Sequence, residues 1–450
     1  MKNLILTLII TLPLTLWGQG WVKTFGGLDD NFGNVGPGYS VQQTLDGGYI
    51  LVGDSYTSDE GSNIYVVKTD QNGNEQWIQT YGGVYNDRGF SIKETDDGGY
   101  ILTGETTSYE TGFLNLILLK IDQNGDEQWS QIYSGISDYG GYSIETTYDG
   151  GYIISGYYEL SNNYFRMFLL KTNENGNEQW SEVYDNGLNS KGFEVKQTLE
   201  GDYILIGREK SVNGMDSLNL KKITNNGDIE WSKNYLKIGY ETNKPNGSVD
   251  QTLDGGYIIT SNIQNNVNYT TDMVLVKTDE NGNEQWTKRF GLVEQSIGNS
   301  VEQTFDGGYI ICGTIGNNVI GRKIFIVKTD ENGNEQWSQS LGETGGLSMN
   351  FSEGFDIQQT LDGGYILCGQ TNYNEWTGWD GPGRIEEIVL IKTNGNGDVT
   401  MTTEIPLPNP NRKIEKTVNL KGQEIKPQIN QPIIEIFDDG SVEKKLIIEK

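Results

Sequence analysis

The chain has 450 residues, 60 of them Gly, and its 62 acidic against 33 basic residues leave a net charge of −29 with no His. The missing His excludes Ser-His-Asp and Cys-His catalysis and His-ligated zinc or haem, and the anionic balance excludes charge-driven binding of nucleic acid. A content of 11% aromatic residues with only 9 Pro excludes a disordered chain.

Residues 1–18 open with Met1-Lys2-Asn3, continue as the apolar run Leu4–Trp17 and end at Gly18. A basic start, a short apolar core and a small last residue predict a secretory signal peptide cleaved near Gly18. The run is too short to span a bilayer. No Cys follows it to carry a lipid, and no later stretch is long and apolar enough to span. The predicted location is therefore secreted or cell-surface.

A repeat fills the chain from there to about residue 400. Tyr stands after an acidic and glycine-containing turn at 49, 100, 152, 203, 257, 309 and 365, a spacing of 51–56 residues. Six of these turns read Asp-Gly-Gly-Tyr, and the fourth reads Glu200-Gly201-Asp202-Tyr203. Asn72-Gly73-Asn74-Glu75-Gln76-Trp77 keeps the same beat and returns with Trp129, Trp180, Trp231, Trp286 and Trp337. A period near 50 marks stacked supersecondary units. Each unit holds four short runs rich in β-branched, aromatic and aliphatic residues between Gly, Asn and Asp, and none shows a helical apolar period. The predicted fold is all-β: a seven-bladed β-propeller of four-stranded antiparallel blades over residues 19–400.

Seven Tyr sites meet only six of the Trp sites, because the last turn, Asn396-Gly397-Asp398, leads to no Trp. The missing piece stands at the other end, where Trp21-Val22-Lys23-Thr24-Phe25-Gly26-Gly27 matches Trp77–Gly83. The N-terminal strand is thus predicted to complete the last blade as its outermost strand, D. That leaves no open sheet edge and makes Ser40–Thr44 innermost, A. The mirror frame, with the third strand innermost, stays open on sequence alone.

The repeated columns read as structure. The Gly pair before each Tyr supplies positive φ in the A–B hairpin. Asn-Gly marks the C–D hairpin, and with a two-residue loop Lys68 faces Trp77 with its stem on the indole. Lys120, Lys171, Lys222, Lys277, Lys328 and Lys392 repeat that Lys, and Thr44, Thr95, Thr147, Thr198, Thr252, Thr304 and Thr360 form another full column. Gly53, Gly104, Gly156, Gly207, Gly313 and Gly369 end strand B, and the Trps fill space between blades. The oxygen-rich run Asp70–Glu75 admits a calcium reading. It lacks an EF-hand's spacing, and Asp and Asn favour such turns on their own, so no cofactor is expected. Cys312 and Cys368 share one slot in adjacent blades, too far apart to bridge, and are predicted to be free buried thiols.

The run Lys68–Trp77, then Tyr81-Gly82-Gly83, Ser91-Ile92 and Asp97–Gly104, resembles the secreted bacterial seven-bladed propeller repeats known as SBBP repeats. The resemblance spans about residues 20–400. It implies the fold and an exported protein, and it carries no catalytic set.

The A–B and C–D hairpins are short and nearly identical between blades, whereas the B–C and D–A connections vary. In a meander these sets emerge on opposite faces, and recognition belongs to variable loops on a rigid scaffold. The longest B–C loop, 371–384, holds Tyr373, Trp376, Trp379 and Asp380; Tyr157 and Tyr158, with Tyr164 and Phe165, add aromatics in blade three. Aromatic faces among Asn, Asp and Glu suit a sugar ring. The same residues could equally pack their loops onto the propeller.

Pro406, Pro408 and Pro410 mark a linker at 401–412. Beyond it, residues 413–450 read as a few strands with an Asp439-Gly440 turn. This tail resembles the C-terminal sorting domain of type IX secretion cargo, which implies passage through that machinery. The alternative is a small accessory β element packed on the propeller.

The leading functional expectation is a non-catalytic, secreted or surface-held monomer that binds a glycan or an envelope protein by its variable face. The alternatives are a structural or adhesive envelope component and, third, a carboxylate-based polysaccharide hydrolase or lyase, for which no acid pair stands out.

Overall fold

The computed structural model describes residues 20–26, 34–57, 61–109, 113–135, 137–161, 164–184, 189–210, 216–237, 247–264, 271–291, 294–317, 321–341, 351–376, 382–399, 413–418, 426, 432–437 and 442–446. The predicted leader and linker lie outside them. Strand β1 is Trp21–Phe25. Blade 1 then runs β2 (Asn34–Gln43), β3 (Tyr49–Thr57), β4 (Gly61–Thr69) and β5 (Glu75–Tyr81). Blade 2 is β6 (Asp87–Glu94), β7 (Tyr100–Thr106), β8 (Asn115–Ile121) and β9 (Glu127–Tyr133). Blade 3 is β10 (Tyr139–Thr146), β11 (Tyr152–Ser161), β12 (Tyr164–Thr172) and β13 (Glu178–Tyr184). Blade 4 is β14 (Ser190–Gln197), β15 (Tyr203–Lys210), β16 (Asp216–Ile223) and β17 (Ile229–Lys237). Blade 5 is β18 (Ser248–Gln251), β19 (Tyr257–Gln264), β20 (Thr271–Thr278) and β21 (Glu284–Phe290). Blade 6 is β22 (Ser296–Gln303), β23 (Tyr309–Asn317), β24 (Gly321–Thr329) and β25 (Glu335–Leu341). Blade 7 takes β26 (Phe351–Gln359), β27 (Tyr365–Trp376) and β28 (Pro382–Thr393) from the end of the repeats and β1 from its start. A separate antiparallel sheet in the tail is β29 (Ile414–Val418), β30 (Pro432–Phe437) and β31 (Val442–Leu446).

The ring closes as the strand count required. β1 pairs antiparallel with β28, Trp21 opposite Lys392 and Phe25 opposite Ile388. The first strand of each blade faces the axis, so the open choice of frame falls to A as innermost: residues of β2, β6, β10, β14, β18, β22 and β26 line one common cavity.

The core lies between blades rather than within one. Alternate residues of B and C face opposite neighbours: Leu51 and Tyr49 join Ile366 and Leu390 of blade 7, while Ile50 and Val52 join Leu102 and Leu119 of blade 2. Seven such clusters, one per blade junction, hold the ring among the described residues. Each is capped by a D-strand Trp packed on the Tyr of the next blade, from Trp21 on Tyr49 at 5.7 Å to Trp129 on Tyr152 at 6.3 Å between ring centroids. Trp77, Trp180, Trp231, Trp286 and Trp337 repeat the contact.

Four details differ from the sequence reading. Only the first Gly of each A–B pair has positive φ (82° at Gly47); the second is needed because a Cβ on Gly48 would stand 2.1 Å from the Thr69 carbonyl oxygen and 2.7 Å from Lys68 Nζ. The C–D loop has five residues, 70–74, between β4 and β5. Lys68 does pair in register with Trp77, but its amine reaches Asp46 at 2.9 Å. The glycine expected to end strand B lies inside it, opposite a bulge in A; a Cβ on Gly104 would meet the Arg88 carbonyl oxygen at 1.8 Å. In blade 5, where Ser261 stands at that place, the described ladder runs from Ser248 opposite Thr260 to Gln251 opposite Tyr257 and stops short of it.

Cys312 and Cys368 are buried and free, as predicted. Burial pushes both thiols far above their usual range.

Candidate functional site

Strand A descends from the variable face to the A–B hairpins, so its residues form tiers down the axis. The bulge turns one residue per blade toward the cavity at the top: Tyr39, Phe90, Tyr142, Phe193, then Asn299 and Phe355, with Gly247 at the matching place in blade 5. Five of these are aromatic. Tyr39 lies 5.0 Å from Phe90 and 5.5 Å from Phe355, and Phe90 lies 5.3 Å from Tyr142. The next tier is Ser40, Ser91, Ser143, Ser248 and Ser300 with Glu194 and Asp356. The tier nearest the A–B hairpins is Gln42, Lys93, Glu145, Lys196, Asp250, Glu302 and Gln358.

The polar tiers form one network. Lys93 Nζ stands 3.6 Å from Glu145, and Lys196 Nζ stands 3.3 Å from Asp250 and 3.8 Å from Glu194. Asp356 accepts from Ser300 Oγ at 2.8 Å and from the Val41 amide at 3.0 Å, across the closing junction. Glu302 accepts the Gln359 amide. Burial and the nearby Asp250 charge raise Glu302 to about 7. Burial also raises Glu194, against the pull of Lys196. The cavity holds about 110 Å³, room for a few waters at ~30 Å³ each.

The sequence-predicted binding residues divide. Tyr157 is buried, its ring 5.2 Å from both Tyr142 and Phe165 and its hydroxyl donating to Glu105 Oε2 at 3.3 Å. It belongs to the axial aromatic cluster with Phe90 and Tyr142. Tyr158 packs on Tyr139 at 4.7 Å. Both rings pack within blade 3, and Tyr157 lies over Gly140, where a Cβ would stand 2.3 Å from its ring. Lys191 covers this cluster, its amine 3.7 Å above the Phe165 ring. Tyr164 is exposed. In blade 7, Tyr373 stands opposite Ile385 and Trp376 opposite Pro382 in the β27–β28 ladder. Trp379, Asp380 and the side chains of Tyr373 and Trp376 lie outside the described residues.

The calcium-like run is a self-contained turn. Asp70 Oδ1 accepts the Asn72 and Asn74 amides, each at 2.8 Å, and Oδ2 accepts the Asn74 side-chain amide at 2.9 Å. Asp279 and Asp330 make the same three bonds.

Sequence reading missed the axial tiers. Their signal is present: an aromatic residue, then Ser, an aliphatic residue and a polar residue, as in Phe90-Ser91-Ile92-Lys93 and Tyr142-Ser143-Ile144-Glu145. It was hidden because an extra residue at the bulge breaks the two-residue alternation.

No protein-family profile matches the chain, and no curated protein matches its sequence. Solved structures do match in shape. The Neurospora crassa Pan2 WD40 domain superposes at TM-score 0.51 with 10% identity, over 86% of this chain and 98% of that one. A puromycin hydrolase, solved as an S511A mutant with PGG, superposes at TM-score 0.51 with 13% identity, over 90% of this chain and 59% of that longer one. At these identities the likeness shows the fold: this chain is a seven-bladed β-propeller.

Proposed function

We propose that the chain is a non-catalytic binding or scaffold propeller that recognises a glycan or an envelope protein through its variable face, with the last blade as the principal contact. One observation carries this reading. The ladder of β27 and β28 continues seven residues past Gly369, to Trp376 opposite Pro382, about 23 Å of extended chain at ~3.3 Å per residue. In the other blades that have this glycine, strand B ends two to five residues past it, from Thr106 in blade 2 to Ser161 in blade 3. A long hairpin bearing Tyr373, Trp376, Trp379 and Asp380 at its end gives one blade a reach that the core does not need.

The reading includes export by the leader and routing of the chain to the cell surface or medium by the tail, which accords with the soluble character that a net charge of −29 confers. Calcium at the C–D turns is an open variable, so binding is to be measured with and without it. Retention of the full mature protein on a glycan panel and on envelope protein should fall at least tenfold with Trp376→Ala plus Trp379→Ala. Unchanged retention removes the hairpin from the site.

A carboxylate enzyme has Glu302 in its favour, since an acid titrating near neutrality beside ionised partners suits acid–base work. The small axial cavity has room for waters rather than for a sugar ring at that acid, which favours the binding reading.

A further inference from the structure

The uniform face carries exposed apolar side chains at its hairpin tips. At the tip of each A–B hairpin, just before the repeated acid, stand Leu45, Asp96, Tyr148, Leu199, Leu253, Phe305 and Leu361. Six of the seven are apolar, and all six are exposed, Leu45 by 86% and Phe305 by 63%. They supply six of the fifteen exposed large hydrophobics among the described residues. The turn does not require them, because Asp96 serves in blade 2.

The tips are fixed in place. The Leu45 amide donates to Glu94 Oε2 of the next blade at 2.8 Å; Tyr148, Leu199, Leu253, Phe305 and Leu361 donate to Gln197, Gln251, Gln303, Gln359 and Gln43 at 2.7–3.0 Å. The last of these crosses the closing junction. The hairpin backbones therefore hold the tips in place around the axis, so a partner that covers them orders side-chain rotamers but no loop. Outside the ring, on the same face, the seven C–D hairpins (70–75, 122–127, 173–178, 224–230, 279–284, 330–335 and 394–398) hold 16 Asp and Glu and no Lys or Arg of their own, while Lys23, Lys233 and Lys288 reach Asn74, Asn283 and Asn334 from strand D at 3.1–3.3 Å.

We infer that this face docks a protein segment that presents apolar side chains flanked by Lys and Arg. Apolar tips take the apolar residues, and the acidic belt steers and registers the cations. The same belt disfavours the other occupants: two copies would oppose two acidic rims, and anionic lipid or nucleic acid would be repelled.

The test uses the full mature protein and fluorescent 12-residue peptides of alternating Leu-Lys, Ser-Lys and Leu-Glu, read by anisotropy. The Leu-Lys peptide should bind about tenfold tighter than Ser-Lys, roughly the effect of covering two or three exposed side chains, and should weaken as salt rises. Leu45→Ser with Phe305→Ser and Leu361→Ser should reduce Leu-Lys binding to the Ser-Lys level, with the circular dichroism spectrum retained. The single change Leu45→Ser, at an exposed tip whose amide bond persists, should cost about threefold. Trp376→Ala plus Trp379→Ala should leave peptide binding intact, which separates this face from the variable one. Equal binding of Leu-Lys and Ser-Lys, tighter binding of Leu-Glu, or an unaffected triple variant overturns the proposal. So does a concentration-dependent dimer that the triple change dissolves, since that assigns the ring to a second copy.

Discussion

A lysine with nearly all of its side chain enclosed needs a counter-charge and hydrogen-bond acceptors. Six of the seven blades meet this need in one way. Lys120 Nζ stands 3.0 Å from Asp97 and donates to the Ile121 carbonyl, and Lys68, Lys171, Lys277, Lys328 and Lys392 do the same with their own hairpin Asp at 2.9 Å. The pair ties the end of strand C to the A–B turn and explains why Lys recurs in all seven blades and the hairpin Asp in six. Burial works against the Asp97 charge, but hydrogen bonds from Thr95, Lys120 and Gly99 outweigh it and lower the acid to about 2. Blade 4 is a natural variant: its second hairpin Gly is Asp202, and Lys222 lies 3.8 Å from that carboxylate and 3.3 Å from Glu230. Asp97→Ala should therefore destabilise the protein by about 1–2 kcal/mol, water at the half-exposed Asp97 offsetting part of the loss. The urea midpoint would report it. In Asp97→Ala with Lys120→Met the two losses should not add, because the second change removes the buried charge that the first leaves bare; strict additivity would deny the pair its role.

At the scale of the strand, much was legible because propeller blades repeat. The Tyr and Trp beats gave seven units, and their unequal number placed β1 in blade 7. The bulge was not legible, since its evidence is a shift of register between two strands, and neither strand alone shows it. The fit of each Trp to its neighbour was half visible. The C–D glycine has positive φ, 71° at Gly73, as an Asn-Gly hairpin implies, but its second duty lies in another blade: a Cβ on Gly73 would stand 2.5 Å from the Trp21 ring. β1 thus makes two junctions at once, a ladder with β28 and a cap on blade 1. Trp21→Ala should cost about 2–4 kcal/mol, in the range of a large core truncation moderated by partial exposure. Removing residues 19–27 should leave the β28 edge open and promote aggregation. A synthetic peptide covering 19–27, added in trans, should restore solubility and raise the melting temperature in a concentration-dependent way. A truncated protein as stable as the whole chain would show that β1 does not close the ring.

For the whole molecule, charge makes stability depend on pH from two sides. The hairpin acids Asp46, Asp97, Asp149, Asp254 and Asp306 are all held below their ordinary value near 3.8 by hydrogen bonds from Lys, Thr and Gly that outweigh burial. Their contribution is present above that value and is lost as pH falls toward 2. The axial Glu302 acts in the opposite sense. Burial first, then the Asp250 and Asp356 charges, raise it to about 7, against the Gln359 amide and the Lys196 charge that lower it. The native state then binds more protons than the unfolded chain between about 4.5 and 7. Its contribution is full below pH 4.5 and is lost as pH rises through 7, by roughly 1–3 kcal/mol once channel water is allowed for. Self-repulsion of a chain carrying −29 charges adds to the same alkaline loss. Melting temperature should therefore peak between about pH 4 and 5.5. Glu302→Gln, which keeps the acceptor for Gln359 but cannot ionise, should flatten the decline from pH 5 to 7 while leaving the acid limb below pH 4 unchanged. If the variant declines as steeply as the parent over that interval, the alkaline limb belongs to the surface charge and to the other raised acids, Glu194 and Glu105, and Glu302 is not its source.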